Sequence, residues 1–396
     1  MRITILNGTG NIDYLYGFVR GLAALDDLEL EVVDCDRSDG IFDDLKNVRV
    51  FNLFGDPREG ASVPYRLMRE MRYYMRFLFY VITTRSDIFH IQWLNRFQLL
   101  DRLIFVPLYR VLGKSLVFTA HNVDAKERDG RSGRTNTWSL RFMYSRMDAI
   151  VAHAVDSATH LSERFGVPSD RVSVIRHGIN NKLQPVWLSQ RAARATLGLS
   201  PDDRVLLVFG NIEPYKGIED LVEAVSLLSP GCSVKVVVAG RGRNREYLDR
   251  LRSFAAERRV GSRFVWHCGF VAEPDVETYF AAADCVVLPY RRISQSGVIF
   301  SAYRFGVPVI ATAVGGLIED VVEGQTGLLC EPENPLSLAR AIENYFRDAK
   351  WGDRERVREA IICRTAAAYS WESIAVQTLA VYRRIARQGR RPERKA

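Results

Sequence analysis

Short apolar runs alternate with amphipathic segments along most of the chain, and few folds accommodate that alternation. Arg2 to Leu6 and Ser115 to Ala120 have the composition of buried strands, whereas about Asp13 to Leu25 has a helical period. Strands that alternate with helices build parallel sheets that are covered on both faces. The series restarts at Val205 and runs to Leu329. The sequence therefore predicts an α/β protein with two doubly wound sheets.

The stretch Asn180 to Ser189 has neither a helical nor a strand period, and it separates the two series. A chain of 396 residues also exceeds the usual size of a single hydrophobic core. We therefore predict one domain over residues 1–185 and a second over residues 186–370. Residues 371–396 contain a long helical pattern, and the sequence leaves open whether this helix crosses back onto the first domain.

Composition narrows the classes of function. The longest apolar runs, such as Phe77 to Thr84, are too short for a membrane-spanning helix. The six cysteines are scattered without metal-ligand spacing, which predicts reduced thiols and a cytoplasmic protein. A formal net charge of +8 indicates an anionic partner, such as nucleotide phosphates or acidic lipids. No DNA- or RNA-binding motif occurs, so we expect no nucleic-acid partner.

Two glycine-containing loops follow strands of the second series and begin helices. The segment Gly210 to Gly217 (GNIEPYKG) contains Lys216, and Ser296-Gly297-Val298 starts another helix. Glycine lets the backbone approach a ligand, the first N–H groups of a helix attract anions, and Lys216 adds a positive charge. Together the loops predict a diphosphate site. Each loop alone is as typical of an ordinary turn with a solvated lysine or of a capped helix.

The motifs GNIEPYKG, HCGFV, AAADCVVLPY, SQSGV, FGVPVIATAVGG and EDVVEGQTGLL occur in that order, and the series resembles the nucleotide-sugar domain of GT4-type (group 1) GT-B glycosyltransferases. The resemblance is strong over about Arg204 to Asn344 and weaker in the first domain. It implies two Rossmann-like domains facing across a cleft, the second for the donor and the first for the acceptor. It also implies transfer without a metal or other cofactor, because a lysine and helix-terminal amides stabilise the departing diphosphate.

In the donor domain, the resemblance assigns Lys216 to the diphosphate of a UDP- or GDP-sugar. It assigns Ser296, Gly297 and Val298 to the backbone that approaches the phosphates. Phe270 falls where the family holds the nucleobase.

The donor domain also departs from the family pattern. Asn211 stands at the position of the usual arginine, so one positive charge is missing, and Arg241 or Arg291 is a candidate replacement. The paired glutamates are absent, since Ser301-Ala302 stands where the ribose-binding glutamate is expected. Gln295 is a candidate substitute for that glutamate.

In the first domain, Gly8 and Gly10 match the glycine loop that faces the donor. His121 directly follows the strand SLVFTA and matches the family's histidine near the transferred sugar. A histidine there can bind a sugar hydroxyl or stabilise developing charge, and a turn with a satisfied imidazole is the alternative. Asp124 and Asp13 are candidate bases if the reaction inverts the anomeric centre.

Another predicted strand, DIFHIQWLN, ends in polar side chains beside an indole. His90, Gln92, Trp93 and Asn95 suit contact with a sugar face. The alternation of His90 with Gln92 is equally compatible with a histidine that points into the core.

The segment Pro64 to Thr84 combines arginines with apolar and aromatic side chains at helical spacing. Its arginines lie on one helical face, and Leu67, Met71, Tyr74, Phe77 and Leu78 lie near another. Such a helix suits an anionic membrane surface, at which a lipid-linked acceptor would arrive. A surface helix with a solvated basic side is the alternative.

These observations predict a glycosyltransferase that moves a hexosyl unit from a nucleoside diphosphate sugar to a saccharide or lipid-linked saccharide. We expect a metal-independent, retaining reaction in polysaccharide or glycolipid synthesis, by a cytoplasmic protein that can also lie at the inner face of a membrane. Two alternatives are an inverting transferase with a carboxylate base and a nucleotide-sugar-binding protein without activity. The missing glutamates and arginine motivate the second alternative.

Overall fold

The structure is a computed structural model that describes residues 1–8, 10–34, 40–54, 62–124, 133–179, 185–242 and 244–389. The chain divides into two compact units. The first unit comprises Met1–Gly178 and the chain from Tyr369 onward, and the second comprises Ile179–Ala368. The chain therefore leaves the first unit, completes the second and returns. Our predicted boundaries lie at 185/186 and 370/371.

The first unit is built on parallel strands. Their bounds are β1 (Arg2–Asn7), β2 (Glu29–Asp34), β3 (Val48–Asn52), β4 (Ile88–Trp93), β5 (Ser115–Ala120), β6 (Ala149–Ala152) and β7 (Val172–Val174). The order across the sheet is β3-β2-β1-β4-β5-β6-β7, so it reverses between β1 and β4. Parallel neighbours require crossover connections, and helices supply them.

The helices of this unit before the crossover to the second unit are α1 (Ile12–Ala23), α2 (Val63–Thr83), α3 (Gln98–Leu100), α4 (Val106–Val111), α5 (Arg134–Tyr144) and α6 (Val155–Phe165). A π-helical turn, Asp101–Phe105, joins α3 to α4, and Ser169–Arg171 forms a 3₁₀ turn. Successive strand residues point to opposite faces of the sheet. Ile3 packs with Leu15 of α1 on one face, and Phe89 packs with Phe77 of α2 on the other.

The helix α2 is buried on one side only. Tyr73, Phe77 and Val81 are buried against the sheet. Besides Val63 at its first position, α2 exposes seven large apolar side chains, which are Leu67, Met68, Met71, Met75, Leu78, Phe79 and Ile82. At 3.6 residues per turn they share an arc of about 120°. The sequence grouped Phe77 with Leu67 and Met71, and the structure corrects that grouping because Phe77 lies in the core.

The second unit repeats the architecture. Its strands are β8 (Val205–Phe209), β9 (Lys235–Ala239), β10 (Phe264–His267), β11 (Cys285–Leu288), β12 (Val309–Thr312) and β13 (Gly327–Cys330). They are parallel in the order β10-β9-β8-β11-β12-β13, which reverses between β8 and β11. Val208, Val236 and Ile310 form one side of the core.

The helices of the second unit are α7 (Gln190–Thr196), α8 (Ile218–Ser226), α9 (Arg245–Glu257), α10 (Val276–Ala282), α11 (Gly297–Arg304), α12 (Leu317–Asp320), α13 (Pro335–Arg347) and α14 (Arg354–Ala368). Short 3₁₀ turns lie at Pro214–Lys216, Gly261–Arg263, Glu273–Asp275 and Ala349–Trp351. Leu221 of α8 and Leu338 of α13 pack on the core face that contains Val208.

The last helix, α15 (Trp371–Gly389), belongs to the first unit and packs along α1. Trp371 is buried, and a Cβ atom on Gly17 would lie only 2.0 Å from its indole nitrogen. The close approach of the two helices therefore depends on glycine at that position. Over the described residues, no helix combines the length and the apolar character needed to span a membrane.

Candidate functional site

In an open parallel sheet, ligands bind beyond the carboxyl ends of the strands, where the strand order reverses. The first unit has this point after β1 and β4, and the second has it after β8 and β11. Gly8 follows β1, and Gly210 follows β8. The sequence-predicted residues lie at these two edges or at the ends of neighbouring strands.

In the second unit, three residues from two separate predicted motifs meet after β8. Gly210 has a φ of +91°, and a Cβ atom there would lie 3.2 Å from Nζ of Lys216 and 3.5 Å from Cγ2 of Val298. The loop after β8 and the start of α11 therefore form one cradle around Gly210. We call Gly210, Lys216, Gly297 and Val298 the glycine–lysine cradle.

The ammonium group of Lys216 is held at the carboxyl end of β8. Nζ donates to the carbonyl oxygen of Phe209 at 2.9 Å and lies 5.3 Å from the ring centroid of Tyr290. Lys216 is only 4% exposed. Burial raises the pKa of Tyr290 to about 12, so its ring stays neutral beneath the ammonium. Sequence reasoning missed Tyr290 as a partner of Lys216.

The start of α11 supplies the other half of the cradle. Gly297 is exposed, and a Cβ atom there would contact nothing within 4 Å. The first N–H groups of a helix have no partner within that helix, and the N-terminal end is electropositive. Ser296 is buried, and its hydroxyl donates to Tyr290 Oη at 3.3 Å. This edge can therefore accept an anion.

The predicted substitutes for the missing family residues lie in different environments. Arg241 is exposed after β9 and makes no ion pair with any residue for which side chains are described. Arg291 is paired with Asp220 at 2.9 Å. The hydrogen bond to the carboxylate raises the pKa of the guanidinium, and the negative charge of Asp220 offsets its positive charge. Gln295 donates to Asp320 at 2.6 Å. Its amide nitrogen is thus already engaged within the protein.

Three more residues of the second unit stand at positions that the family resemblance indicates; two are exposed, and the third bonds back to its own helix. Asn211 is exposed directly after Gly210. Phe270 is 82% exposed in the loop after β10, where an unpacked ring is available for stacking. Ser301, at the position of the ribose-binding glutamate, bonds back to the carbonyl oxygen of Gly297 at 3.4 Å.

In the first unit, the loop after β1 packs tightly on the end of β4. A Cβ atom on Gly8 would lie 2.4 Å from the carbonyl oxygen of Leu94, and one on Gly10 would lie 2.3 Å from the ring of Trp93. Asp13 is half-buried in the first turn of α1. Glycine at positions 8 and 10 is therefore required by packing alone.

His121 follows β5 and is surrounded by aromatic rings. Its imidazole stacks on Trp93 with ring centroids 3.7 Å apart, and Tyr14 contacts it edge-on at 4.6 Å. One ring nitrogen, Nε2, lies 3.1 Å from Oε1 of Gln92, and the other, Nδ1, lies 3.0 Å from Nε2 of His153. Both nitrogens therefore have partners within the unit.

Three further histidines lie near His121. Burial lowers the pKa of His90 to about 3, of His153 to about 4 and of His177 to about 3. Burial also lowers the pKa of His121 well below its ordinary value, and the nearby His153 lowers it further. We call His90, His121, His153 and His177 the histidine cluster. Its members are neutral at physiological pH.

Of this cluster, only His90 and His121 are candidate site residues from the sequence. His90 is 1% exposed, so the core-facing alternative describes it correctly. His153 lies directly after β6, just as His121 lies directly after β5. That shared position at a strand end was the available signal. Within the described residues, no group of histidine, cysteine and carboxylate side chains has a geometry that could hold a metal ion.

His121 also lines a pocket of about 210 Å³ in the first unit. Gln92, Arg102, Asp124 and Asn136 are among its polar walls. Asp124 is buried, accepts from Asn136 at 3.0 Å and lies 3.6 Å from Arg164. The pocket therefore combines a histidine, amides and a held carboxylate at the carboxyl ends of β4 and β5.

Known families cover both units. Residues 203–348 match the family model described as Glycosyl transferases group 1, and residues 13–183 match the one described as Glycosyltransferase Family 4. An uncharacterized glycosyltransferase of Methanocaldococcus jannaschii is 31% identical over 223 residues, which cover 55% of each chain. The D-inositol 3-phosphate glycosyltransferase of Mycobacterium bovis is 33% identical over 278 residues, 68% of this chain and 56% of that enzyme. The alignments thus span little more than half the length of these relatives.

Solved structures share the fold. The sucrose-phosphate synthase of Thermosynechococcus elongatus superposes with a TM-score of 0.75 at 22% identity and covers 98% of this chain and 100% of its own. Anabaena HepE, solved with UDP and glucose, gives 0.74 at 19% identity, with coverage of 97% and 100%. The two Rossmann-like domains of the GT-B fold that the sequence predicted are confirmed.

Proposed function

The chain belongs to the GT-B glycosyltransferases of group 1, and on that premise we propose that it transfers a hexosyl unit from a nucleoside diphosphate sugar to a saccharide or lipid-linked saccharide. Anabaena HepE was solved with UDP-glucose, which supports a donor of this class. We propose a role in polysaccharide or glycolipid synthesis.

The glycine–lysine cradle is the observation that carries the proposal. Lys216 brings a positive charge to Gly210, where the backbone is bare, and α11 directs its first N–H groups to the same edge. A diphosphate gains charge as it leaves the sugar, so a fixed ammonium and amide dipoles stabilise the transition state more than the ground state. In the proposed reaction Lys216 and the amides of Gly297 and Val298 hold the departing diphosphate.

We propose that the reaction needs no divalent cation and retains the anomeric configuration. Lys216 supplies positive charge at the place where a cation would otherwise act. Asp124 is bonded to Asn136 and lies near Arg164, which favours a structural carboxylate over a free base. Its engagement argues against Asp124 as the base of an inverting route.

Donor binding is the first experiment. UDP and GDP are titrated in a thermal-shift assay, because a ligand that binds the folded state raises its stability with occupancy. One of the two should raise Tm, in the presence of EDTA as well as without it. Incubation of the matching nucleotide sugar with acceptor extracts, followed by NMR of the product anomer, then tests transfer and its stereochemistry.

The outcomes separate the candidate functions. Binding without hydrolysis or transfer for any donor would favour a nucleotide-sugar-binding protein. A product of inverted configuration would favour a carboxylate base. The absence of any shift with either nucleotide would contradict the donor site itself.

We also propose that α2 rests on an anionic membrane surface. Seven large apolar side chains are exposed in one arc of α2, and Arg69, Arg72 and Arg76 adjoin that arc. Apolar side chains can enter the acyl boundary while arginines meet lipid phosphates. This arrangement would bring the first unit to a lipid-linked acceptor.

Vesicle flotation tests the membrane proposal. The protein should float with vesicles that contain phosphatidylglycerol and much less with phosphatidylcholine alone. The double variant Met71→Ser/Phe79→Ser should lose this binding, because both side chains are exposed in the apolar arc. Val376→Ser changes an exposed apolar residue of α15 and serves as the control. Equal flotation of both variants would contradict the proposal.

A further inference from the structure

The histidine cluster lies within a chain of hydrogen bonds that ends at a backbone carbonyl. Nδ1 of His153 lies 2.9 Å from the carbonyl oxygen of Ile175, and its Nε2 lies 3.0 Å from Nδ1 of His121. His153 is 4% exposed. A carbonyl oxygen only accepts, so Nδ1 of His153 must carry a proton to make this bond.

The protonation of His153 then determines that of His121. Among the residues whose side chains are described, no carboxylate bonds to His153, and burial lowers its pKa to about 4, so the ring is neutral. A neutral imidazole carries one proton, and in His153 that proton is on Nδ1. Nε2 of His153 is therefore an acceptor, and Nδ1 of His121 is the donor. Nε2 of His121 is left with a lone pair.

The remaining partners fit this assignment when the amide of Gln92 is turned by 180°, which exchanges its nitrogen and oxygen without changing its shape. Gln92 then donates to Nε2 of His121 and accepts from Nε2 of His90, whose proton is shared with Oγ1 of Thr119 at 2.7 Å. His90 in turn accepts from the hydroxyl of Tyr382 through Nδ1. Every ring is neutral and every bond has one donor. With the opposite amide orientation, either His121 or His153 would carry a charge, or two acceptors would face each other.

We propose that His153 is a positioning residue that holds His121 as the Nδ1–H tautomer, so that His121 offers the lone pair of Nε2 to a substrate hydroxyl. The proposal rests on the proposed transfer function, in which His121 lies near the sugar. Gln92 and His121 both line the pocket of the first unit, so a sugar hydroxyl that replaces the Gln92 amide would meet this lone pair. His121 thus recognises a hydroxyl as an acceptor of its hydrogen bond.

Nitrogen NMR of the full chain labelled with ¹⁵N-histidine tests the tautomer directly. The chain has six histidines, so the spectrum contains few enough ring signals to assign each one. In the unaltered protein, His121 should show a protonated Nδ1 and an unprotonated Nε2. His153→Leu removes the acceptor, so the His121 proton should move largely to Nε2. His153→Gln retains an acceptor and should keep it on Nδ1. His177→Leu is the control, since its ring centroid lies 6.4 Å from that of His121.

Turnover provides the second readout. His153→Leu should lower kcat about tenfold with unchanged UDP or GDP affinity, the rate equivalent of about one hydrogen bond. His153→Gln should recover most of that loss. A protonated Nε2 of His121 in the unaltered protein, an unmoved proton in His153→Leu, or an unchanged kcat despite a moved proton would each overturn the proposal. If no transfer activity is found at all, the NMR result still decides the tautomer assignment.

Discussion

The two sheets reverse their strand order in the same way, yet the edges at these points differ in chemistry. The edge of the first unit is crowded with neutral aromatic and imidazole rings that bond to one another, as His121 does with His153. The edge of the second unit is bare backbone at Gly210 with a single ammonium from Lys216. At one edge the imidazole rings bond to neighbouring side chains of the same unit, whereas the other edge has left room for an anion.

In the proposed function, the second unit would bind the charged diphosphate and the first unit would position a sugar hydroxyl. Parallel sheets bring strand ends together whatever follows them, so the loop residues decide the chemistry. Glycine permits close approach in the second unit, whereas in the first unit Gly8 and Gly10 serve the packing of Trp93 and Leu94.

The largest expected contrast is in acid. The histidine cluster is neutral in the folded first unit but titrates near 6.5 when unfolded, so the unfolded state binds more protons below that pH. Stability should be intact above about pH 6.5 and fall as the pH is lowered toward about 4, by up to about 1.4 kcal/mol per pH unit for each histidine. Asp101 opposes this, because burial raises its pKa to about 6, but it is one group against four.

Hydrogen exchange read by mass spectrometry during urea unfolding, at about pH 7.5 and about pH 5, measures this contrast for each unit. Peptides of the first unit should lose protection at lower urea in acid, and those of the second unit should change less. Loss of protection at lower urea in the second unit than in the first, at about pH 5, would contradict the expected contrast between the units.

Truncation of Trp371 should destabilise the first unit alone. The indole is 3% exposed and fills the space above Gly17, so Trp371→Ala should cost about 3–5 kcal/mol. Urea unfolding of Trp371→Ala, with exchange resolved by unit, measures the loss. Val376→Ala, at an exposed position of α15, is the control. A loss spread equally over both units would contradict the assignment of α15 to the first.

Removal of the cradle's charge should affect rate without affecting either fold. Lys216→Ala should lower kcat about 10²–10³-fold, the cost typical of losing one group that stabilises transition-state charge. Steady-state kinetics with the identified donor measures it. Lys235→Ala removes a lysine at the opposite end of the same sheet, where it bonds to the carbonyl of Ser262, and should leave kcat nearly unchanged. Equal effects of the two variants would remove Lys216 from the site.

The smallest expected effect separates nucleotide affinity from transfer. Phe270→Ala should weaken binding of UDP or GDP about tenfold, because one aromatic stacking contact is worth about 1–3 kcal/mol. His121→Ala should leave that affinity unchanged while reducing transfer. Isothermal titration provides the affinities, and Ile318→Ala, which changes another exposed apolar residue of the second unit, is the control. A loss of nucleotide affinity in His121→Ala would show that His121 also contributes to nucleotide binding, and it would contradict the separation of the two roles.

The sequence predicted the fold well because strand periodicity is strong in sheets buried on both faces. β5 matches the predicted run Ser115 to Ala120 residue for residue, β8 begins at Val205, where the second series was predicted to restart, and the GT-B fold is confirmed. The strand β7 was missed, because Val172–Val174 is only three residues long and partly exposed at the sheet edge. The π-helical turn Asp101–Phe105 was also missed, since nothing in its composition departs from an α-helix.

The candidate site was predictable where backbone geometry restricts residue type. Glycine at position 210 has a positive φ, and Lys216 follows in the same loop, so both stand out in the sequence. Contacts between distant segments did not stand out. His153 lies 32 residues from its partner His121, and Tyr382 lies 292 residues from His90. Only the folded sheet and the returning helix bring such pairs together.

The return of α15 to the first unit orders events during synthesis. Trp371 and Tyr382 leave the ribosome only after all of the second unit has been made, and until then Gly17 and His90 lack their native neighbours. The half of the protein that is translated first is therefore the half that is finished last. A nascent chain stalled before α15 would carry a complete second unit beside a first unit whose core is still open to water.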